Sequence, residues 1–575
     1  MSEETPALAA LFSSERERTR FVAGGQTLYR AGERTGQLFF LRAGGLAAFR
    51  DAPGAPLLGV IRPGEVIGEM ALLSGAPHSA TIVALRDSEV SSLDAKAVFE
   101  AAQRTPEIMA DIARLLIARA RSPEPHGLRA RPKMFGIAAI DGSVSARRIA
   151  DALAGEMISL GFATTVLHAW HAAHSPGWWS EVEASSDHVL CAAESDEAAW
   201  SAICRRQVDR MILLGRGDHP SPPECGLCAS EPLQANGLVD LVLLRRGGSR
   251  PEDPSPWLDL VQPKRLFHLR DGSRDDIARL GRFVTGTAVA LVLSGGGARA
   301  FAHLGAVRAL RGAGVPIDAV GGTSMGAIIA AGVALGWDGP ELEARLRDSF
   351  VSSNPLDDVA LPFVAMTRGR KVERKLAEHF GTVDIGSLDR PFFCVSTDLA
   401  GGGHIRHGRG RLVTALRASI ALPGILPPVI DGARVLADGA LLRNLPTDLM
   451  RADHDGPIVA VDVSRSLGLR PADIARPTPL AQWFWSGAWR RGPPIVSILM
   501  RSATIAAEPD LAAARETADL YVAPELGMIE IRDWRAFERA ANAGEQAMTA
   551  ALAGLDGPLT HLRHRRLAAT RAMPM

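Results

Sequence analysis

Residues 288–336 read AVALVLSGGGARAFAHLGAVRALRGAGVPIDAVGGTSMGAIIAAGVALG, and few architectures accommodate them. The run AVALVLS is continuously apolar and partly β-branched, which predicts a strand buried on both faces. GGGARA predicts a tight turn, and AFAHLGAVRALRGAG a helix. PIDAV then predicts a second strand, GGTSMG a second glycine turn, and the sequence from Ala327 an apolar helix. Strand, turn and helix written twice in succession imply a parallel sheet covered by helices. Glycines at such turns let the backbone approach a ligand, and helix N-termini direct free N–H groups at negative charge.

The second turn contains Gly322-Thr323-Ser324-Met325-Gly326. G-x-S-x-G between a strand and a helix is the pattern of a nucleophile elbow, in which small flanking residues permit a strained turn that exposes the serine hydroxyl. A serine that attacks a carbonyl creates an oxyanion. The first glycine turn is placed to supply backbone N–H groups to it, and one such donor is worth roughly 10²–10³ in rate. The competing reading is a dinucleotide loop, G-x-G-x-x-G. Gly295 and Gly297 fit it, Ala300 breaks it, and it leaves the elbow unexplained.

A serine nucleophile needs a base. Residues 418–446, ASIALPGILPPVIDGARVLADGALLRNLP, hold two D-G-A triplets, at Asp431 and Asp438. The succession G-G-G-x-R, G-x-S-x-G, A-S-x-x-x-P and D-G-A-x-x-x-N-x-P resembles the patatin-like phospholipases. That resemblance implies a Ser–Asp dyad that cleaves acyl esters of lipids without a triad histidine. Carried over, Ser324 is the nucleophile and Asp438 the general base, because LLRNLP follows Asp438 as in the family. Asp431 reads as part of a turn between two short strands. Gly295, Gly296 and Gly297, with Arg299 beside them, correspond to the oxyanion hole, and Gly322 and Gly326 to the elbow. Ala300 stands where the family usually has glycine. His303, in the helix after the first turn, reads as a structural, hydrogen-bonded histidine.

The chain has 575 residues, too many for a single core. The resulting expectation is a multidomain protein. Residues 1–122 are expected to form an antiparallel β-roll with helices, from turn signals every eight to twelve residues. Residues 133–285 are expected to form a middle α/β domain, and 286–465 the C-terminal α/β patatin-like hydrolase domain. Residues 466–575 would extend the catalytic domain. GEVIGEMALLSGAPHSAT resembles the phosphate-binding cassette of cyclic-nucleotide-binding domains. Gly68 and Glu69 fit it, but His78 stands where the family has arginine. A neutral imidazole offers one donor in place of a permanent bidentate charge. Cyclic-nucleotide binding is therefore expected to be weak or absent. Roll, α/β spacer and hydrolase in this order resemble the neuropathy target esterase subgroup, which implies a phospholipid or lysophospholipid substrate met at a membrane surface.

Lys+Arg and Asp+Glu are equal at 64 each, so nothing resembles a nucleic-acid footprint. Five cysteines are too few and too odd for a disulfide framework. With no signal-like N-terminus and no run of 18 apolar residues, the expected location is cytoplasmic or peripheral to a membrane. No cofactor and no metal is expected. Cys225 and Cys228 read as a loop with two thiols, and His168, His171 and His174 as a structural cluster. Residues 481–491, AQWFWSGAWRR, read as a core or substrate-channel helix, or as an interfacial anchor. The alternative from another class is a ligand-sensing or regulatory protein with weak general esterase activity.

Overall fold

The computed structural model describes residues 6–12, 17–51, 57–121, 132–140, 142–218, 238–247, 253–353, 357–360, 364–464 and 508–572. Cys225, Cys228 and the tryptophan-rich stretch 481–491 lie outside them. The chain divides into two compact units, residues 1–244 with 256–264, and residues 245–255 with 265–575.

The first unit begins with the expected roll. Two four-stranded antiparallel sheets face each other. Strand Gln37–Ala43 is buried on both faces: Phe39 and Leu41 join Val90 in one core cluster, and Leu38 joins Leu93 and the helix residues Val98 and Ile112 in another. The helical pattern after the roll is broken into Ala95–Arg104 and Glu107–Arg121. Thr105, held out of helical geometry before Pro106, makes the break.

A parallel α/β layer follows within the same unit. Its strands run in the order Thr164–Leu167, His188–Ala193, Met134–Ala139, Arg210–Arg216, Leu238–Arg245. Met134–Ala139 and His188–Ala193 are buried at every position, which explains the uninterrupted apolar runs 134–139 and 189–193. Roll and layer are fastened by charge. Arg86 donates to Glu183 and Asp209, each at 2.6 Å, and Arg206 donates to Asp87 at 3.0 Å. His171 and His174 stack on Trp178.

The second unit is built on an eight-stranded sheet. Ala290–Leu293 lies at its centre, with Ala319–Thr323 and Phe392–Asp398 on one side and Ile458–Val461 and Leu520–Val522 on the other, all parallel. The hairpin Val429–Asp431/Arg434–Asp438 closes one edge, antiparallel to Phe392–Asp398. The second strand runs further than PIDAV suggests: it begins at Ala319 and takes Gly321 and Gly322 into the sheet. These glycines belong there because a Cβ on Gly321 would meet the Phe393 ring at 2.6 Å, and one on Gly322 the Leu293 carbonyl oxygen at 2.8 Å. Helix Phe537–Ala553 packs on Phe301–Gly312 at Gly305 and Gly544, where the backbones touch too closely for any side chain. Residues 508–572 are thus part of the unit that contains both glycine turns. Arg265–Arg270 and Arg274–Thr285 join it too, and Arg282 clamps Asp318 at 2.9 and 2.6 Å.

Among the described residues, no helix is long and apolar enough to cross a membrane. Cys191, Cys204 and Cys394 are free and buried.

Candidate active site

Ser324 occupies the turn between strand Ala319–Thr323 and helix Met325–Ala334, with φ 54° and ψ −128°. Positive φ in a non-glycine residue costs about 1–3 kcal/mol and persists where the surroundings enforce it. The enforcement is visible. A Cβ on Gly326 would run into the Ser294 and Leu293 carbonyl oxygens, so only glycine lets the helix start this close. The Ser324 N–H donates to Ser419 Oγ at 2.9 Å, and Thr323 Oγ1 donates to the Arg443 carbonyl at 2.8 Å.

Ser324 Oγ donates to Asp438 Oδ2 at 2.7 Å. Asp438 ends the hairpin strand Arg434–Asp438, paired opposite Ser396. Its Oδ1 accepts the Ala440 N–H at 2.9 Å, and its own N–H donates to the Ala421 carbonyl. Gly439 follows because a side chain there would strike the Val395 carbonyl. Asp438 is 1% exposed, and burial pushes its carboxyl up to about 7, against the opposing pull of the Ser324 and Ala440 hydrogen bonds. Asp431, the other D-G-A aspartate, is exposed in the hairpin opposite Arg434. Among the described residues, neither Ser324 nor Asp438 hydrogen-bonds a histidine. His303 is fully buried with Nε2 on the Ser294 carbonyl at 2.8 Å, and burial lowers it to about 4, so it stays neutral.

The first glycine turn divides its tasks. The Gly295 N–H donates to Asn444 Oδ1 at 3.0 Å, and a Cβ on Gly295 would stand 3.0 Å from Ser324 Cβ. Arg299 is buried and donates to the carbonyls of Val463 and Ile529 at 2.8 and 3.0 Å, so its side chain fastens the turn to the C-terminal part of the unit. Gly297 has φ 56°, and a side chain there would overlap the Ile531 carbonyl. The N–H groups of Gly296 and Gly297 have no hydrogen-bond partner among the described residues. Ala300 sits at φ −66°, ordinary helical backbone, so its departure from glycine introduces no strain. Sequence reading passed over Ser419 as a contributor to the elbow; the A-S-x-x-x-P motif that contains it was the available signal.

The pocket of the roll is organised around itself. Gly68 has φ 91° and begins the helix Glu69–Ser74. Glu69 is buried and accepts from Arg119 of helix Glu107–Arg121, and Arg119 also donates to the Val66 carbonyl at 2.8 Å. His78 stacks on Tyr29 at 3.7 Å and shares a hydrogen bond with Thr35 at 2.8 Å. Burial lowers the His78 imidazole, which keeps it neutral.

The site is a serine elbow hydrogen-bonded to a buried aspartate on a mostly parallel α/β sheet. The comparisons agree: residues 291–451 match the patatin-like phospholipase family, and residues 19–105 the cyclic nucleotide-binding domain. An uncharacterised NTE family protein of Mycobacterium tuberculosis is 32% identical over 95% of both chains. Patatin-like phospholipase domain-containing protein 6 of Mus musculus is 28% identical over 77% of this chain and 38% of its own. Neuropathy target esterase sws of Drosophila melanogaster is 25% identical over 77% of this chain and 36% of its own. The chain belongs to the NTE family of patatin-like phospholipases.

Proposed function

We propose that this protein is a serine lysophospholipase in which Ser324 and Asp438 form the catalytic dyad. The observation that carries the reading is the 2.7 Å hydrogen bond from Ser324 Oγ to a buried carboxylate raised to about 7. A base near the operating pH combines a useful ionised fraction with real proton affinity. On attack, Ser324 Oγ bonds to the ester carbonyl carbon and its proton passes to Asp438 Oδ2. The N–H groups of Gly296 and Gly297 receive the oxyanion. Asp438 then returns the proton to the departing alcohol, and in the second half removes one from the water that releases the fatty acid. The strained elbow keeps the hydroxyl at the mouth of the turn.

Lipid as substrate is supported by the family. Each methylene drawn from a bilayer costs about 0.8 kcal/mol, so a single-chain lipid reaches a serine far more easily than a two-chain lipid. The test compares hydrolysis of lysophosphatidylcholine and diacyl phosphatidylcholine at matched interface, by the wild type and Ser324→Ala. Faster release from the lysolipid, lost in the variant, is expected. Faster cleavage of the diacyl lipid, or of short soluble esters alone, overturns the substrate assignment.

We further infer that the roll does not take cyclic AMP or cyclic GMP. Glu69 is engaged by Arg119, and the phosphate position holds neutral His78.

A further inference from the structure

A second site lies in the catalytic unit, away from Ser324. A cavity of about 290 Å³ is lined by Arg311, Gly314, Val315, Ile317, Val333 and Arg390. Ile317 precedes strand Ala319–Thr323 and Val333 lies near the end of helix Met325–Ala334. Ser324 joins the opposite ends of that strand and helix, so the cavity and the dyad are separated by roughly the length of a five-residue strand, about 16 Å.

Two guanidinium groups line this cavity. Arg390 donates from Nε to the Ile317 carbonyl at 2.9 Å and from Nη1 to the Val333 carbonyl at 3.0 Å. Arg311 donates from Nη2 to the Trp337 carbonyl at 2.8 Å, while its Nη1 is buried with no acceptor among the described residues. Neither arginine forms an ion pair among the described residues. The acidic groups around them are already engaged. Asp318 is held by Arg282, Asp389 by Arg245 at 2.6 Å, and Asp338 caps the helix Gly339–Leu346 through the Glu341 N–H. Burial lowers both guanidinium groups; the charges of Arg279 and Arg311 lower Arg390 further, while Asp318 and Asp389 oppose this on Arg390 and Asp338 on Arg311. Two neighbouring cations held by neutral carbonyls beside a cavity form an arrangement that an anion completes. Guanidinium forks suit phosphate best, because they can donate two parallel hydrogen bonds.

We propose that the Arg311–Arg390 cavity is a binding site for a phosphate dianion, free or as a small phosphomonoester. Its volume takes a phosphate with a short organic group. Because the cavity is walled by the far ends of the strand and helix that hold Ser324, an anion there braces the scaffold of the elbow.

The experiment titrates the full chain calorimetrically with inorganic phosphate and with glycerol 3-phosphate, at ionic strength held constant with chloride. The expected result is saturable binding of at least one of them, weakened at least tenfold in both Arg311→Met and Arg390→Met. Tighter glycerol 3-phosphate than phosphate identifies an organic phosphomonoester as the ligand, and the reverse identifies the free ion. Absence of saturable heat in the wild type at 10 mM of either overturns the site, whether or not the variants fold. Undiminished affinity in the variants overturns it as well. Arg311→Lys, which keeps the charge but loses the fork, should retain intermediate affinity.

Discussion

The buried Asp438 carboxyl makes opposite demands on activity and on stability, and Asp438→Asn separates them. The carboxyl lies at about 7, raised by burial, against about 4 in an unfolded chain. For activity the ionised form is needed, so kcat/KM of the wild type should rise about tenfold per pH unit below 7 and level off above it. For stability the sign reverses. Between those two values the folded state holds a proton that the unfolded state releases, so folding weakens as pH rises from about 4 to about 7. From pH 5 to pH 8.5 that is two pH units at 1.36 kcal/mol each, about 3 kcal/mol. Asparagine keeps the shape and cannot ionise. Asp438→Asn should therefore lose about 10²–10⁴ in turnover at pH 8. Relative to wild type it should also gain about 3 kcal/mol of stability on going from pH 5 to pH 8.5. The assays are lysophospholipid hydrolysis against pH, and thermal melting of both proteins at the two pH values. Asp431→Asn, altered at an exposed hairpin position, is the matched control and should keep both profiles. Near-wild-type turnover by Asp438→Asn with an inactive Asp431→Asn would refute the assignment of the base. A melting difference that does not change with pH would refute the account of the raised carboxyl.

Ser324→Ala should abolish hydrolysis with the fold intact, and the Ser324→Ala/Asp438→Asn double variant should be little worse than either single one; additive losses would show that the two residues do not act as a unit. Gly297→Ala places a side chain at φ 56° against the Ile531 carbonyl, and should lower kcat by roughly 10²–10³ through loss of oxyanion geometry. An unchanged kcat would remove the first glycine turn from the mechanism. Calorimetry of the full chain with cyclic AMP and cyclic GMP should give no binding, and micromolar affinity would show that the Glu69–Arg119 pair opens for a ligand.

The local turn chemistry was legible in the sequence. Glycines at 297, 322 and 326 mark positions where backbones nearly touch; the sequence shows the glycines, although the carbonyls they make room for, of Ile531, Leu293 and Ser294, lie elsewhere in the chain. The apolar run at 290–293 announced a strand buried on both faces. The extension of the second strand through Gly321 and Gly322 was not announced, because Gly321 is fixed by packing against the distant ring of Phe393 and Gly322 by the Leu293 carbonyl.

The preference for Asp438 over Asp431 came from a family resemblance, through the LLRNLP that follows it; its physical ground is tertiary, since the register that sets Asp438 opposite Ser396 brings it to Ser324, 114 residues earlier. The same burial raises its carboxyl, a property no motif carries, since it depends on every atom that excludes water. Likewise, three glycines in a row look alike, until Asn444 takes the N–H of the first and leaves those of the next two without a partner among the described residues. Arg119 against Glu69, and Arg311 beside Arg390, are meetings of residues far apart in the chain. Sequence determines what a turn permits over a few residues; long-range register and desolvation, which act through space, decide which groups meet and in what charge state.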